Sequence, residues 1–241
     1  MSKIAFLITG HIRPEISADY DVLLAEKMRL AKSQFISLDL DSGDVLPIDI
    51  DLAGIVISGS AKMINENIVW LKKACDWLCL QDSKNVPMLG ICFGHQLLAH
   101  AFGGKIADNP NGIEVGTKTI RFRKEAKQDP LLQKYYPKIL VQVSHVQSVI
   151  RLPENAVVLA SSDQEPYQAF RLKDNIWGVQ FHPEFDDKII RKLIVSKDVK
   201  YPGKIDVDKL LSEVKETPAS CSILSRFAKL VTTNSRLNYK V

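Results

Sequence analysis

The chain has 241 residues, of which 46% are hydrophobic, so it is long enough to bury a full core and to form one domain, or one domain with an appendage. Lys and Arg number 32 against 28 Asp and Glu and are spread along the chain, so the net charge of +4 does not predict a nucleic-acid partner. No apolar run approaches the roughly 18 residues of a membrane-spanning helix, and the four cysteines contain no Cys-x-x-Cys pair, so we expect a cytoplasmic, reduced protein without a membrane segment or a metal site.

Strand and helix patterns alternate over the first half of the chain. The apolar stretch that ends at Gly10 lacks a small-residue cleavage site, so we interpret it as a first strand rather than a signal peptide. The patterns that follow are a helix to about Leu30, a strand over 54–58, a helix over 66–81 and a strand over 86–92. Because strands separated by helices need crossover connections, this half predicts a parallel sheet.

From about Gly112 the pattern changes to closely spaced strands. The strand patterns cover residues 114–123, 139–150, 156–162, 167–173 and 176–182. They predict a largely antiparallel region, or one that is mixed with the parallel part. After Glu184 the pattern is helical again, with a Tyr-Pro-Gly break at 201–203. We therefore divide the chain into a catalytic domain, 1–185, and a C-terminal helical extension, 186–241.

The most informative turn is Gly90-Ile91-Cys92-Phe93-Gly94, where a strand pattern ends and a helix pattern begins at once. Glycines two residues either side of a central residue permit the sharp strand-to-helix turn of a nucleophile elbow. A cysteine at a helix N-terminus gains thiolate character from the backbone N–H groups and the helix dipole. Cys92 is therefore a candidate nucleophile, although an isolated turn of this kind is equally compatible with a small packed residue.

A matching base lies far along the chain in His182-Pro183-Glu184, at the end of a strand pattern. In an extended segment, residues i and i+2 project from the same face, so the imidazole of His182 and the carboxylate of Glu184 can lie side by side. Such a pair serves a thiol nucleophile, because the imidazole exchanges the proton and the carboxylate orients the ring.

The stretches GICFGHQLLAHAFGG (90–104) and GVQFHPEF (178–185) resemble the nucleophile and His-x-Glu motifs of class I glutamine amidotransferase domains. The resemblance extends from about Ile4 to Glu184 and does not include the C-terminal helices. It implies an α/β, flavodoxin-like fold in which helices flank a mostly parallel central sheet, with a smaller antiparallel or mixed sheet. It also implies a Cys92-His182-Glu184 triad that cleaves a γ-glutamyl amide and needs no cofactor.

An enzyme of this type needs two backbone donors for the oxyanion that forms during attack on the carbonyl. The elbow geometry assigns one donor to the N–H of Phe93, directly after the nucleophile. The resemblance implies that the second is the N–H of Gly59. The family often has Gly-Gly-Pro at this point, whereas this chain has Gly59-Ser60-Ala61, so a simple strand-ending turn is the alternative.

The resemblance also implies contacts to the substrate. Gln96 occupies the position of a glutamine that contacts the amino-acid part of the substrate. Ser144, His145 and Val146 fall in a segment that resembles a Ser-His-Gly-Asp loop, but Val146 and Gln147 replace the glycine and the aspartate. Backbone contacts are compatible with this change. His145 is a second candidate base, but it has no carboxylate two residues on, so we interpret it as a loop or structural residue.

The expected reaction forms a γ-glutamyl thioester on Cys92, with release of ammonia or an amine, and water then releases glutamate. The sequence has no G-x-x-x-x-G-K-[ST] phosphate loop, so an ammonia acceptor is expected on a separate synthase partner or not at all. A glutaminase acting on glutamine is the first interpretation. A γ-glutamyl peptidase is an alternative, because GICFGHQ and the altered Ser-His loop also resemble that branch. A binding or regulatory protein is the third, and the intact Cys, His and Glu argue against it.

Overall fold

The computed structural model describes residues 2–238, with side chains described through residue 233. The last residues of the predicted helical extension, 239–241, lie outside this range. The strands are β1 (Lys3–Ile8), β2 (Phe35–Asp39), β3 (Leu52–Ile57), β4 (Met88–Ile91), β5 (Lys105–Asp108), β6 (Glu114–Phe122), β7 (Lys138–His145), β8 (Gln147–Arg151), β9 (Val157–Ser161), β10 (Ala169–Leu172) and β11 (Ile176–Val179). The α-helices are α1 (Tyr20–Met28), α2 (Leu71–Ser83), α3 (Phe93–Ala101), α4 (Asp187–Lys200), α5 (Val207–Glu213) and α6 (Pro218–Asn238).

One sheet of nine strands organises the molecule, in the order β2-β1-β3-β4-β11-β10-β9-β6-β7. Neighbours from β2 to β11 are parallel, and those from β11 to β7 are antiparallel. Strands β5 and β8 form a separate antiparallel pair. The predicted α/β fold, in which helices flank a central sheet beside a smaller antiparallel one, is confirmed. The central sheet was expected to be mostly parallel, and its parallel pairing extends from β2 to β11 only.

The register between β4 and β11 positions the site. Gly90 pairs with Gly178, and Ile91 pairs with Val179, so the two parallel strands end side by side. The backbone N–H of Cys92 continues this pairing by donating to the carbonyl of Val179 at 2.9 Å. The segments that follow the two strands therefore leave the sheet at the same edge, which is where open α/β sheets bind their ligands.

Each face of the sheet is covered by its own helical layer. On β1, Phe6 packs in the cluster that includes α1 and α6, whereas Leu7 packs in the cluster that includes α2 and α3. This alternation is the period of two that a strand buried on both faces requires. Helices α4 and α5 pack beside β6 in a smaller third cluster with Val115.

Helix α6 belongs to the main core. Phe227 and Val231 are buried in the same cluster as Phe6, and the Phe227 ring meets Trp177 edge to face at a centroid distance of 6.2 Å. Residues 186–238 are mostly helical, as expected. The helices that they form pack in the same hydrophobic clusters as residues that precede position 185. Helix α6, which lies in the predicted extension, thus covers one face of the sheet, and the division at residue 185 stays a prediction.

Three local predictions were wrong or incomplete. Strands β2 and β5 have no counterpart in the expected pattern. Helix α2 begins at Leu71, and residues 66–70 form turns rather than its first residues. The apolar stretch 139–150 divides into β7 and β8 at Val146, because its two halves pair with different partner strands. Among the described helices, none combines the length and the apolar character that crossing a membrane requires.

Candidate active site

Cys92 lies in a strained turn between β4 and α3. Its φ of 51° and ψ of −99° fall outside the regions that a non-glycine residue ordinarily adopts. The flanking glycines make this turn possible: a Cβ on Gly90 would overlap the carbonyl of Gly94, and a Cβ on Gly94 would lie 2.5 Å from the carbonyl oxygen of Ile57. The strained backbone is thus held by close packing on both sides, with the thiol at the helix N-terminus.

The structure brings Cys92, His182 and Glu184 together. The Nδ1 atom of His182 lies 2.7 Å from Oε1 of Glu184, and the imidazole and the Cys92 thiol line the same cavity, close enough for each to shift the pKa of the other. Because Nδ1 is engaged by the carboxylate, Nε2 is the ring atom left for the sulfur. Phe185 stacks on the imidazole with the ring centroids 4.1 Å apart and the planes 7° from parallel, which fixes the ring orientation.

Electrostatics favour the ionised form of both partners. Burial raises the pKa of the Cys92 thiol, but the charge and hydrogen bond of His182, with His145 and Lys197, outweigh burial and lower it. Burial likewise opposes the charged form of His182, yet the charges and hydrogen bonds of Glu184 and Cys92 raise its pKa to about 10. The two shifts agree in direction, and both favour a thiolate–imidazolium pair over the neutral thiol and imidazole.

Gly59 lies directly against the imidazole. A Cβ at this position would be 2.8 Å from Cε1 of His182 and 2.9 Å from the hydroxyl oxygen of Tyr20. The Gly59 carbonyl accepts hydrogen bonds from Oγ1 of Thr9 at 3.1 Å and from Oγ of Ser58 at 2.9 Å. The loop that was expected to supply an oxyanion donor therefore contacts the candidate base and is held by two hydroxyl groups.

Two backbone donors remain available beside the thiol. Within residues 2–238, the N–H groups of Gly59 and Phe93 donate to no protein acceptor. Both residues adjoin groups of the candidate site: Phe93 follows Cys92 in the chain, and Gly59 contacts His182. The positions predicted from the sequence for the oxyanion hole are thus occupied by unpaired N–H groups.

Gln96 reaches the site from the second turn of α3. Its Nε2 donates to the carbonyl of Gln147 at 2.8 Å and to Oε1 of Gln180 at 3.0 Å. In the described part of the chain no donor pairs with Oε1 of Gln96, and the residue lines the cavity beside Cys92. This fixed amide presents an acceptor oxygen, which suits a ligand ammonium group.

The ring of His145 is hydrogen-bonded to a buried carboxylate rather than to the Cys92 thiol. Its Nε2 lies 2.8 Å from Oε2 of Glu114, and its Nδ1 lies 2.9 Å from the carbonyl oxygen of Gln147. Both acceptors require an N–H, so the ring is an imidazolium. Burial lowers the pKa of His145, but the hydrogen bond and charge of Glu114 outweigh it and raise the pKa. This cation supports the Cys92 thiolate from a distance.

The residues before and after His145 line the same cavity as Cys92. The carbonyl oxygen of Ser144 lies 4.0 Å from the Cys92 sulfur. Ser144, His145, Val146 and Gln147 all contribute to the cavity wall. The segment that was expected to hold the substrate through its backbone is therefore adjacent to the thiol.

A cavity of about 390 Å³ opens above the thiol. Its walls come from the loop after β1, the Gly59 loop, the β7–β8 turn and α4. This volume lies within the roughly 300–1,000 Å³ of pockets that hold drug-sized ligands. None of the lining residues is Asp or Glu, whereas His11, Arg13, Lys62, Lys197 and Lys200 all contribute basic groups to the lining.

Sequence reasoning missed four residues that shape the site, namely Tyr20, Glu114, Phe185 and Lys197. Phe185 follows the His-x-Glu motif directly, so its position next to the base was the available signal. Tyr20 and Lys197 carry no local signal, because an ordinary helical pattern contains both and only the tertiary fold brings them to the thiol. Burial, with the charges of Glu184 and Cys92, raises the pKa of Tyr20 well above its usual value, so it is a neutral hydroxyl.

Comparison with known proteins places this geometry in context. Residues 23–200 match the sequence model of the glutamine amidotransferase class-I family, a range that contains the thiol, the imidazole, the carboxylate and α4. The chain is 36% identical over 143 residues to Gamma-glutamyl peptidase 4 of Arabidopsis thaliana, which covers 58% of this chain and 57% of that protein. It is 44% identical over 103 residues to a glutamine-hydrolyzing GMP synthase subunit from Sulfolobus acidocaldarius, or 42% of this chain and 53% of that one.

The matches thus span little more than half the length of these two relatives. A solved structure with the same fold is a glutamine amidotransferase from Thermotoga maritima, with a TM-score of 0.76 and 22% sequence identity. The superposition covers 96% of this chain and 98% of that one. At this identity the likeness shows the fold alone.

Proposed function

We propose that this chain, which belongs to the glutamine amidotransferase class-I family, hydrolyses γ-glutamyl amide bonds through a thioester on Cys92. The single observation that carries the proposal is the arrangement at the cavity floor. There the thiol of Cys92 and the imidazole of His182 line one cavity, and Nδ1 of that imidazole lies 2.7 Å from a carboxylate. The raised pKa of His182 and the lowered pKa of Cys92 supply the nucleophile before substrate binds.

Acylation begins when the thiolate of Cys92 adds to the γ-carbonyl carbon. The negative charge that develops on the carbonyl oxygen is held by the N–H groups of Gly59 and Phe93, which have no protein acceptor within the described chain. The imidazolium of His182 then gives its Nε2 proton to the amide nitrogen, the C–N bond breaks, and ammonia or an amine leaves. The product on the protein is a γ-glutamyl thioester.

Deacylation uses the same groups in reverse. His182, now neutral, accepts a proton from a water molecule that adds to the thioester carbonyl. The C–S bond breaks, glutamate leaves, and the proton on His182 restores the thiolate–imidazolium pair. Glu184 keeps Nδ1 protonated throughout, so Nε2 is the atom that exchanges protons.

Glutamine is the smallest substrate for this chemistry, and ammonia is then the leaving group. In that case the ammonia would pass to an acceptor on a separate synthase partner. The Sulfolobus relative, by its name, is itself one part of a synthase with more than one chain. A docked partner would be needed here, since this sequence has no phosphate loop of the Walker type.

A second candidate is a γ-glutamyl peptidase, in which the leaving group is an amino acid or peptide. Two observations favour it. The cavity of about 390 Å³ exceeds the needs of a single amino acid, and its lining contains four Lys or Arg residues and no acidic one. The Arabidopsis relative is named for this activity.

The direct test measures two products with purified protein: ammonia from glutamine, and the free amine from a γ-glutamyl dipeptide. We expect Cys92→Ala to lower either rate by at least about 10³-fold. Cys79→Ala, which removes an exposed thiol outside the cavity, is the matched control and should leave the rate unchanged. Full activity in a clean Cys92→Ala preparation would exclude the mechanism. Absence of both activities in the wild type would favour a binding or regulatory protein.

A further inference from the structure

Two lysines on the α4 side of the cavity have no acidic partner. Lys197 and Lys200 both line the cavity, and no carboxylate among the described residues lies within 4.0 Å of either ammonium group. Both ammonium groups lie over the ring of Tyr201, with centroid distances of 5.9 Å for Lys197 and 5.4 Å for Lys200.

The other exposed cations of the cavity are paired. Arg13 lies 3.5 Å from Glu15, Lys62 lies 3.2 Å from Asp41, and His11 lies 2.5 Å from Asp19. The positive charge that is left for a ligand is therefore concentrated at one place, on α4.

Lys197 is the more constrained of the two lysines. Burial lowers its pKa, Lys200 lowers it further, and the Cys92 thiolate opposes the shift. Burying an ammonium group without a partner costs free energy, and an anion bound beside it would offset that cost. Lys197 and Cys92 line the same cavity, so the ammonium group and the reacting sulfur share one binding space.

The glutamyl part of a substrate already has polar partners elsewhere. The free Oε1 of Gln96 suits its ammonium group, and the backbone of residues 144–147 lies beside the sulfur. The leaving group must lie near His182, which protonates it. Helix α4 starts at Asp187, two residues after Phe185, whose ring stacks on that imidazole. The α4 wall is therefore the one that the leaving group meets.

We propose that Lys197, assisted by Lys200, forms a subsite for a carboxylate on the leaving group. This inference rests on the proposed hydrolysis and narrows its substrate class. The preferred substrates are γ-glutamyl peptides that carry a free carboxylate on the residue after the scissile bond, rather than glutamine or γ-glutamyl amides with an uncharged leaving group.

The test compares three substrates that share the glutamyl part: γ-glutamylglycine, γ-glutamylglycinamide and glutamine. We expect the wild type to prefer γ-glutamylglycine in kcat/KM. Lys197→Met should lower kcat/KM for γ-glutamylglycine by about 10- to 100-fold, mainly through KM, and change the other two by less than about threefold. Lys188→Met is the matched control, because Lys188 is exposed on the same helix and lies outside the cavity. It should change none of the three.

An equal loss for all three substrates in Lys197→Met would overturn the proposal, since the lysine would then act on the glutamyl part or on the reacting atoms. No preference for the carboxylate in the wild type would overturn it as well. Calorimetric binding to Cys92→Ala protein separates this proposal from the hydrolysis itself. The subsite predicts tighter binding of γ-glutamylglycine than of its amide, and loss of that difference in Cys92→Ala/Lys197→Met, even if no substrate is turned over. Equal binding of the two ligands by Cys92→Ala protein would contradict the subsite alone.

Discussion

Replacing Gly59 with alanine tests whether the base and the oxyanion loop meet as described. The added Cβ would lie 2.8 Å from Cε1 of His182, against 3.4 Å at which ordinary contact begins, so the imidazole or the loop must move by about 0.6 Å. Misplacement of a reacting group by about 1 Å costs roughly 10²-fold in rate. We therefore expect Gly59→Ala to lower kcat/KM by about 10- to 100-fold, or about 1.4 to 2.7 kcal/mol of barrier.

The assay is the rate of ammonia or amine release, with thermal unfolding measured in parallel. Gly10→Ala is the matched control, because the three atoms nearest to its added Cβ all belong to Ser60, and the nearest of them is the side-chain oxygen, which can rotate away. We expect it to retain activity within about threefold. In the double variant Gly59→Ala/Tyr20→Phe the hydroxyl contact is relieved, but the imidazole contact stays, so the loss should persist. A folded Gly59→Ala protein with wild-type kcat/KM would refute the contact between Gly59 and His182.

Three further predictions concern the charges of the site. Glu184→Gln should lower kcat by about 10²- to 10⁴-fold, because an amide can hold the wrong tautomer of His182, and a pH–rate profile for the variant checks this. Since the pKa of Cys92 is lowered and that of His182 is raised, the rate of Cys92 alkylation by iodoacetamide should fall less between pH 8 and pH 7 than that of a free thiol of pKa about 8.5, which would lose most of its rate. A fall as steep as that of the free thiol would contradict the ion pair. Glu114→Gln breaks a buried pair with His145, so we expect the free energy of unfolding to fall by about 3 kcal/mol. The pH profile of Cys92 alkylation should also move to higher pH, because the charge of His145 lowers the pKa of the thiol. An unshifted profile would be the contrary result.

The strained turn and the His-x-Glu pair could be predicted because each depends on local geometry. A side chain at residue 90 or 94 would overlap neighbouring backbone atoms. The two glycines of the motif therefore indicate the tight turn by themselves. The alternation of a strand places His182 and Glu184 on one side, and the structure gives 2.7 Å between them. The order of strands and helices likewise predicted the α/β fold and the parallel half of the sheet.

Long-range partners could not be predicted in this way. Glu114 neutralises His145 across the β6–β7 pair, and Tyr20 reaches Gly59 from α1, but neither residue has a neighbouring motif that marks its role. The packing of α6 in the core could not be predicted either, since an amphipathic pattern does not identify the surface against which its helix packs. Whether a segment of four residues such as β5 forms a strand depends more on pairing with its partner strand, here β8, than on its own intrinsic propensity.

The central claim is that Cys92 carries the acyl group, and mass spectrometry of the protein during turnover tests it most directly. Rapid acid quenching with a γ-glutamyl substrate should trap one glutamyl group on the peptide that contains Cys92, sensitive to hydroxylamine as a thioester is. His182→Ala should slow its formation. The contrary result is turnover by wild-type protein that carries no adduct on Cys92 when it is quenched before the steady state. A glutamyl group found instead on the exposed Cys79, or on any other residue, would complete that contradiction.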